Sequence, residues 1–101
     1  MNLTIATIAK QINASFEGDA SLLIDAISID SRSLQNGPHT LFFALIGPNN
    51  DAHSYIIDLI QQGVTHFVVQ YIPEDCVGKA QFLVVQNTLA ALQELASYHR
   101  S

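Results

Sequence analysis

The segment LFFALIGPNNDAH, residues 41–53, is the most informative part of this chain for its fold. Leu41–Leu45 is a continuous apolar run, which predicts a short strand buried on both faces of a sheet. Gly47–Asn50 has the composition of a loop, and Asp51 is a residue type that caps the amino end of a helix. Apolar residues at helical spacing then predict a helix that ends at Gly63.

On both sides of this segment, the sequence pattern predicts alternating helices and strands. Val64–Gln70 is rich in β-branched and aromatic residues and completes a strand–helix–strand unit. The order predicts an α/β fold with three layers, α/β/α, around a small, mostly parallel or mixed sheet of about five strands. Before this unit, the sequence predicts a helix over 4–12 that Asn13 ends, a short strand at Phe16 and a strand over Leu22–Ile29. After it, the sequence predicts a strand over Gln81–Gln86 and a last helix from Asn87 or Thr88 to Arg100. The buried face of that last helix is predicted to hold Leu89, Leu92, Leu95 and Ala96.

Composition narrows the class of protein. A length of 101 residues predicts one domain, residues 1–101, and 49% hydrophobic residues exclude a disordered chain. The charged fraction of only 13% suggests that part of the surface is covered, for example by a further domain. No apolar run approaches the length of a membrane-spanning helix, which needs about 20 residues.

The charges are sparse and mostly acidic. The net charge is −5, and the four basic residues are scattered, so we expect neither nucleic acid nor a membrane as a partner. The single cysteine, Cys76, forms no internal disulfide, which favours a cytoplasmic location and a plain buried or loop thiol. Histidines are dispersed, so no metal site is expected, and no nucleophile–base pair predicts a catalytic residue.

Polar residues that follow two predicted strands form a candidate site for an anion. Arg32 has a guanidinium that grips phosphate or carboxylate, and Ser31 precedes it. In the loop after the second strand, Gly47 lets backbone approach a ligand, and Asn49 and Asn50 offer donors and acceptors. Backbone N–H groups at the start of the following helix, about residues 52–54, favour an anion as well.

Each part of this site also has an ordinary structural explanation. Arg32 could pair with Asp30 or Asp51 on the surface, and Ser31 could serve a turn. His53, at the second helical position, could donate to a phosphate or be a first-turn residue without a ligand. Asp51 as a cap slightly opposes an anion at the same helix end. Only the coincidence of the parts favours a ligand.

The order of these pieces resembles the amino-terminal domain of the Mur ligases, and nearly the whole chain takes part in the resemblance. The matching pieces are Asp30-Ser31-Arg32, the turn Asn36-Gly37, Leu41–Leu45, Gly47, Asp51-Ala52-His53, Gln62-Gly63-Val64, residues 83–92 and residues 98–100. The loop Gly47–Asn50 looks most like the type that adds D-alanyl-D-alanine, and residues 28–37 look like the form fused to an alanine racemase.

The resemblance implies a role as the domain that holds the UDP end of UDP-MurNAc-peptide in a bacterial, cytoplasmic enzyme of peptidoglycan biosynthesis. By position, Ser31 would contact the nucleotide. Arg32 and Gly47–Asn50 would surround the ribose or pyrophosphate, with His53 close by. This domain would hold no cofactor, because ATP and Mg²⁺ would bind a central ATPase domain of the same polypeptide.

One departure from the family pattern leaves alternatives open. The usual Asp-Gly-His is here Asp51-Ala52-His53. If the glycine needs positive φ or close contact with the ligand, Ala52 would strain the site or push the ligand away. If the position is helical, alanine stabilises it instead. With the acidic net charge, this departure keeps open an α/β interaction domain that has lost nucleotide binding. A further alternative is the same domain from the diamino-acid-adding Mur ligase, because the resemblance extends to that type.

Overall fold

A computed structural model describes residues 3–16, 18, 20–30, 37 and 39–100, without the side chains of His99 and Arg100. The strands are β1 (Leu3–Thr4), β2 (Leu23–Ile24), β3 (Ala26–Ser28), β4 (Thr40–Phe43), β5 (His66–Val69) and β6 (Gln81–Val84). The helices are α1 (Ile5–Gln11), α2 (Ile56–Gln61) and α3 (Thr88–Arg100), with 3₁₀ turns at Ala52–Tyr55 and Glu74–Cys76.

The described strands form one parallel sheet and one small antiparallel pair. The parallel sheet has four strands in the order β3-β4-β5-β6, and its register places Phe42 opposite Phe67 and Phe67 opposite Phe82. β1 and β2 form the antiparallel pair. The predicted α/β fold with a mostly parallel sheet is confirmed.

Alternation along β4 divides the core into two halves, because successive side chains of a strand point to opposite faces. Leu41 and Phe43 lie in a cluster with α1 and α3, and Phe42 and Ala44 lie in a second cluster with α2 and both 3₁₀ turns. All four side chains are fully buried. Helices therefore cover both faces of the sheet, which confirms the three predicted layers.

The residues expected at helix ends occupy them. Asn13 follows α1 with a φ of 57°, in the left-handed region that asparagine tolerates. Gly63 follows α2 with a φ of 106°, and its N–H donates to the carbonyl of Ile60 at 3.1 Å. Asn87 caps α3, because its Oδ1 accepts from the N–H of Ala90 at 3.0 Å.

Three details of the sequence prediction are wrong. The strand expected over Leu22–Ile29 is divided into β2 and β3 at Asp25, whose N–H donates to the carbonyl of His39. The strand expected at Phe16 is a single bridge between Ser15 and Val84. On α3, Leu89 is 52% exposed and Ala96 is exposed as well, and the buried residues of the helix include Thr88, Ala91 and Leu95.

No helix among the described residues is long and apolar enough to cross a membrane.

Candidate ligand-binding site

The carboxyl ends of the parallel strands meet at one edge of the sheet, where open α/β sheets bind ligands. The chain leaves β4 into the loop Ala44–Asp51, leaves β5 at Gln70 and Tyr71, and leaves β6 toward Thr88. Polar side chains from these three segments are joined by hydrogen bonds. This edge is therefore the candidate site.

Asp51 is the centre of the hydrogen bonds that follow β4. Its Oδ1 accepts from the backbone N–H of His53 at 2.9 Å and lies 2.6 Å from Nδ1 of the same residue. Its Oδ2 accepts from the hydroxyl of Tyr71 at 2.7 Å. The bond to the backbone of His53 confirms the predicted cap, and the bond from Tyr71 shows that the carboxylate also joins a segment 20 residues away.

His53 lies inside the protein, with only 2% of its surface exposed. Its Nε2 accepts from the backbone N–H of Gln70 at 3.0 Å, so Nε2 carries no hydrogen. Nδ1 therefore carries the ring hydrogen and donates it to Asp51. The ring stacks on Tyr71 with centroids 4.2 Å apart. Both nitrogens of a neutral imidazole are thus used within the protein.

These contacts move the pKa values of two groups in opposite directions. Burial acts to raise the pKa of Asp51, but hydrogen bonds from Tyr71 and from the backbone and ring of His53 outweigh it and hold the pKa below its usual value. The hydrogen bond to Asp51, together with burial and the carboxylate charge, raises the pKa of Tyr71. Asp51 is therefore ionised and Tyr71 neutral at ordinary pH.

Gln70 and Thr88 connect the ends of β4, β5 and β6. The Oε1 of Gln70 accepts from the N–H of Thr88 at 3.0 Å, and the hydroxyl of Thr88 donates to the carbonyl of Ala44 at 2.8 Å. Ala44 comes directly after β4, and Thr88 is the first residue of α3. The bonds among Asp51, His53, Gln70, Thr88 and Ala44 therefore join three successive strand ends, and we refer to this set as the edge network.

The loop Gly47–Asn50 projects from this network into solvent. A bridge between Ile46 and Asp51 closes it, and the N–H of Gly47 donates to the carbonyl of Asn50 at 2.7 Å. The Oδ1 of Asn50 accepts from the hydroxyl of Tyr55 at 3.1 Å. All four loop residues are exposed, and Asn49 makes no side-chain hydrogen bond to another described residue. The loop thus presents its polar groups to solvent while its ends are held.

The expectation of free N–H groups at the start of the helix is wrong. The N–H of Ala52 donates to the carbonyl of Leu45, that of His53 to the Asp51 carboxylate, and that of Ser54 to the Asp51 carbonyl. The first turn is moreover a 3₁₀ turn, and α2 itself has only 6 residues. An anion therefore gains little here, because a carboxylate of the chain already occupies the position.

Ala52 is compatible with its place in the fold. It lies in the 3₁₀ turn, is 7% exposed and packs in the cluster of α2, and its φ is not positive. Of the two outcomes considered for the missing glycine, the structure shows the helical one. Ala52 therefore causes no backbone strain, and its effect on the approach of a ligand stays a prediction.

The predicted site residues are placed unequally. Gly47, Asn49 and Asn50 share one exposed loop, and His53 lies beneath it in the edge network. Ser31 and Arg32 lie outside the described residues, so their approach to the loop stays a prediction. A direct contact of His53 with a ligand is untested as well, and it would require the ring to give up one of its two hydrogen bonds.

Gln70, Tyr71 and Thr88 were missed by the sequence analysis. Their partners lie 17 to 44 residues away along the chain, so no local sequence pattern predicts these contacts. One signal was available. Gln70 ends a predicted strand, Tyr71 directly follows it, and Thr88 comes two residues after the next predicted strand, and parallel strands bring their carboxyl ends together.

Two cavities flank Tyr71. A small one of about 130 Å³ lies between His53, Tyr71 and Cys76. A larger open groove of about 920 Å³ runs from Ser15 past Gln70 to Asn87, beside β6. The Cys76 thiol is buried, as a plain core thiol would be, and burial together with the Asp75 charge raises its pKa.

Within the described ranges, no three His, Cys, Asp or Glu side chains lie close enough together to hold a metal ion.

Comparison with known proteins adds the family context. The chain is 34% identical, over 100 residues, to UDP-N-acetylmuramoyl-tripeptide–D-alanyl-D-alanine ligase of Haemophilus influenzae, covering 99% of this chain and 21% of that protein. It is 34% identical, over 80 residues, to UDP-N-acetylmuramoyl-L-alanyl-D-glutamate–2,6-diaminopimelate ligase of Bacteroides thetaiotaomicron, covering 79% and 16%. No family model matches the chain.

The fold agrees with this relationship. A crystal structure of MurF from Acinetobacter baumannii superposes with a TM-score of 0.86 at 23% identity, covering 99% of this chain and 21% of that one. By sequence and by fold, the chain is therefore a domain of the Mur ligase type.

Within this class, relatives of both types match the chain. The D-alanyl-D-alanine ligases of Haemophilus influenzae and of Buchnera aphidicola subsp. Acyrthosiphon pisum align with 99% of the chain, whereas that of Rickettsia prowazekii aligns with 79%, as the diaminopimelate ligase described above does. Near-complete alignment is therefore found with D-alanyl-D-alanine ligases, but it is not shared by all of them. The chain spans about a fifth of the length of the first two of these relatives.

Proposed function

We propose that this chain is the UDP-substrate-binding domain of a Mur ligase that adds D-alanyl-D-alanine to UDP-N-acetylmuramoyl-tripeptide. The observation that carries the proposal is the match to such ligases along 99% of the chain. The ligase would act in the cytoplasm on peptidoglycan precursors. ATP, Mg²⁺ and the bond-forming step would belong to a central domain of the same polypeptide, and the present domain would supply no catalytic residue.

The exposed loop at the carboxyl edge of the sheet supports a binding role. Gly47, Asn49 and Asn50 offer backbone and amide groups to the ribose or pyrophosphate. Ser31 would contact the nucleotide, and Arg32 would grip the pyrophosphate with its guanidinium. In this proposal His53 supports the loop from below.

A titration with UDP, followed by amide NMR signals, tests the proposal. We expect shifts at residues 31 and 32 and at Asn49 and Asn50. Shifts confined to the groove beside β6, at Ser15 and Asn87, would place the ligand elsewhere, and no shifts at millimolar UDP would refute UDP binding.

Two charge variants sharpen this test. Arg32→Ala should weaken UDP binding about tenfold or more, since a charge-assisted hydrogen bond contributes about 1.5–3 kcal/mol. Lys10→Ala is the matched control, because Lys10 is an exposed cation in the last turn of α1. Equal effects of the two variants would mean that only the overall charge matters.

The two alternatives are tested separately. A diamino-acid-adding ligase would consume a UDP-MurNAc-dipeptide with a diamino acid, whereas the proposed enzyme consumes the tripeptide with D-alanyl-D-alanine, and an assay of the full-length protein separates them. An interaction domain without nucleotide binding would show no UDP shifts at all. Backbone strain at Ala52 does not favour that alternative, because Ala52 fits its turn with a φ that is not positive.

A further inference from the structure

We infer that His53 is a positioning residue, which holds the loop Gly47–Asn50 in its shape from a buried position and does not itself contact the ligand. The statement about the ligand rests on the proposed function. The statement about the loop stands on the geometry alone.

The ring of His53 has no remaining polar atom to offer. Nδ1 donates to Asp51 at 2.6 Å, and Nε2 accepts from the N–H of Gln70 at 3.0 Å. Tyr71 stacks in parallel on the ring, with an angle of 9° between the planes. A phosphate that approached Nε2 would need a hydrogen there, and gaining one would break the bond to Gln70.

From this position the ring acts on the loop through Asp51. The Asp51 carboxylate is held on one oxygen by the backbone and ring of His53. Asp51 in turn forms the bridge to Ile46 that closes the loop, and the next residue donates to the carbonyl of Leu45 at 3.0 Å. Both ends of the loop are therefore fixed at the residue that His53 holds.

The other side of the ring fixes the loop relative to the sheet. Gln70 directly follows β5, and its side chain accepts from the first N–H of α3 at Thr88. The hydroxyl of Thr88 donates to the carbonyl of Ala44, which directly follows β4. His53 therefore connects the loop to a set of bonds that spans three strand ends, which is the arrangement expected of a preorganised binding loop.

Hydrogen exchange of the free chain tests the effect on the loop. In His53→Ala we expect the amides of Gly47 and Ala52 to exchange about tenfold faster relative to the amide of Phe67 in β5, which reports overall stability. His53→Gln should restore protection, because its amide oxygen accepts from Gln70 and its amide nitrogen donates to Asp51. The control is His39→Ala, since His39 is exposed and its side chain bonds to the Leu23 carbonyl, away from the loop. Unchanged exchange at Gly47 and Ala52 in His53→Ala overturns the inference.

A UDP titration followed by the ring nitrogen signals tests the statement about the ligand. We expect Nδ1 to remain the only ring nitrogen of His53 that carries a hydrogen when UDP is added, while the amide signals of Asn49 and Asn50 shift. His53→Ala should weaken UDP binding about tenfold and His53→Gln should largely restore it, the size expected for losing about 1.4 kcal/mol. Appearance of a hydrogen on Nε2, with loss of the Gln70 bond, would show direct contact and overturn the inference. If UDP binds the native chain nowhere, the proposed function fails, and hydrogen exchange still decides the positioning role.

Discussion

Replacing Thr88 by valine removes one buried hydroxyl while keeping the shape of the side chain. Thr88 is 1% exposed, and its hydroxyl donates to the carbonyl of Ala44 at 2.8 Å. The Oε1 of Gln70 lies farther from that hydroxyl, at 3.3 Å, and already accepts the N–H of Thr88. The hydroxyl therefore donates its single hydrogen to the Ala44 carbonyl.

The expected loss of stability follows from this geometry. Valine leaves the Ala44 carbonyl without its donor in a place that water does not reach, which costs about 1–3 kcal/mol. A cavity adds little, because valine and threonine are similar in size. We expect a free energy of unfolding lower by about 2 kcal/mol, a melting temperature lower by about 8–16 °C and a urea midpoint lower by about 0.7–2 M.

The measurement is urea unfolding of both proteins, followed by circular dichroism. Thr7→Val is the matched control, since among the described residues the Thr7 hydroxyl contacts only the Thr4 hydroxyl, at 3.0 Å, in a half-buried position where water can replace the bond. Its effect should stay within about 0.5 kcal/mol. If Thr88→Val costs no more than Thr7→Val, the bond to Ala44 does not stabilise the edge network.

Three further outcomes follow from the site. Gly47→Ala should leave the free energy of unfolding unchanged, because φ at Gly47 is not positive and an added Cβ would meet only the Asn50 carbonyl, at 3.6 Å. The same change should weaken UDP binding, because a side chain would then stand where backbone approaches the ligand. A lower melting temperature would contradict the first expectation. Asp51→Asn should destabilise the chain at pH 6 but progressively less below the usual pKa of 3.8, because the stability from a lowered carboxyl pKa is present above the usual value and lost as the pH falls through the lowered one. A loss that is independent of pH in urea titrations would be inconsistent with an ionised Asp51. Ala52→Gly should lower the free energy of unfolding by about 1 kcal/mol and leave the UDP affinity unimproved, and a tighter complex in calorimetry would show that the family glycine matters for binding.

Features that depend on neighbouring residues were predictable from the sequence. Asp51 and Asn87 cap helices, and Asn13 and Gly63 end them, because each acts on backbone within a few positions. The layer order was equally accessible, since an apolar run such as Leu41–Leu45 has few ways to avoid water other than the middle of a sheet.

Features that depend on distant partners were not predictable in this way. The division of Leu22–Ile29 arises because β2 pairs with β1 while β3 pairs with β4, and nothing in the segment itself encodes two partners. The exposure of Leu89 depends on where α3 begins, one residue after Asn87. At the site, the opposition of Asp51 to an anion was predictable from its capping position, but the use of the N–H groups of Ala52, His53 and Ser54 was not, because one of them donates to Leu45 across the loop.

The charges at the sheet edge identify which predicted residue the proposed site depends on most. Asp51 places a carboxylate at the end of the loop Gly47–Asn50, and its partners there, Tyr71 and His53, are hydrogen-bond donors without charge. The asparagines of the loop supply dipoles but no charge. A diphosphate bound at this loop would therefore meet an uncompensated negative charge unless a cation joins it. Arg32 is the residue whose predicted position meets that need, so its guanidinium, rather than the start of the helix, carries the electrostatic part of the proposal.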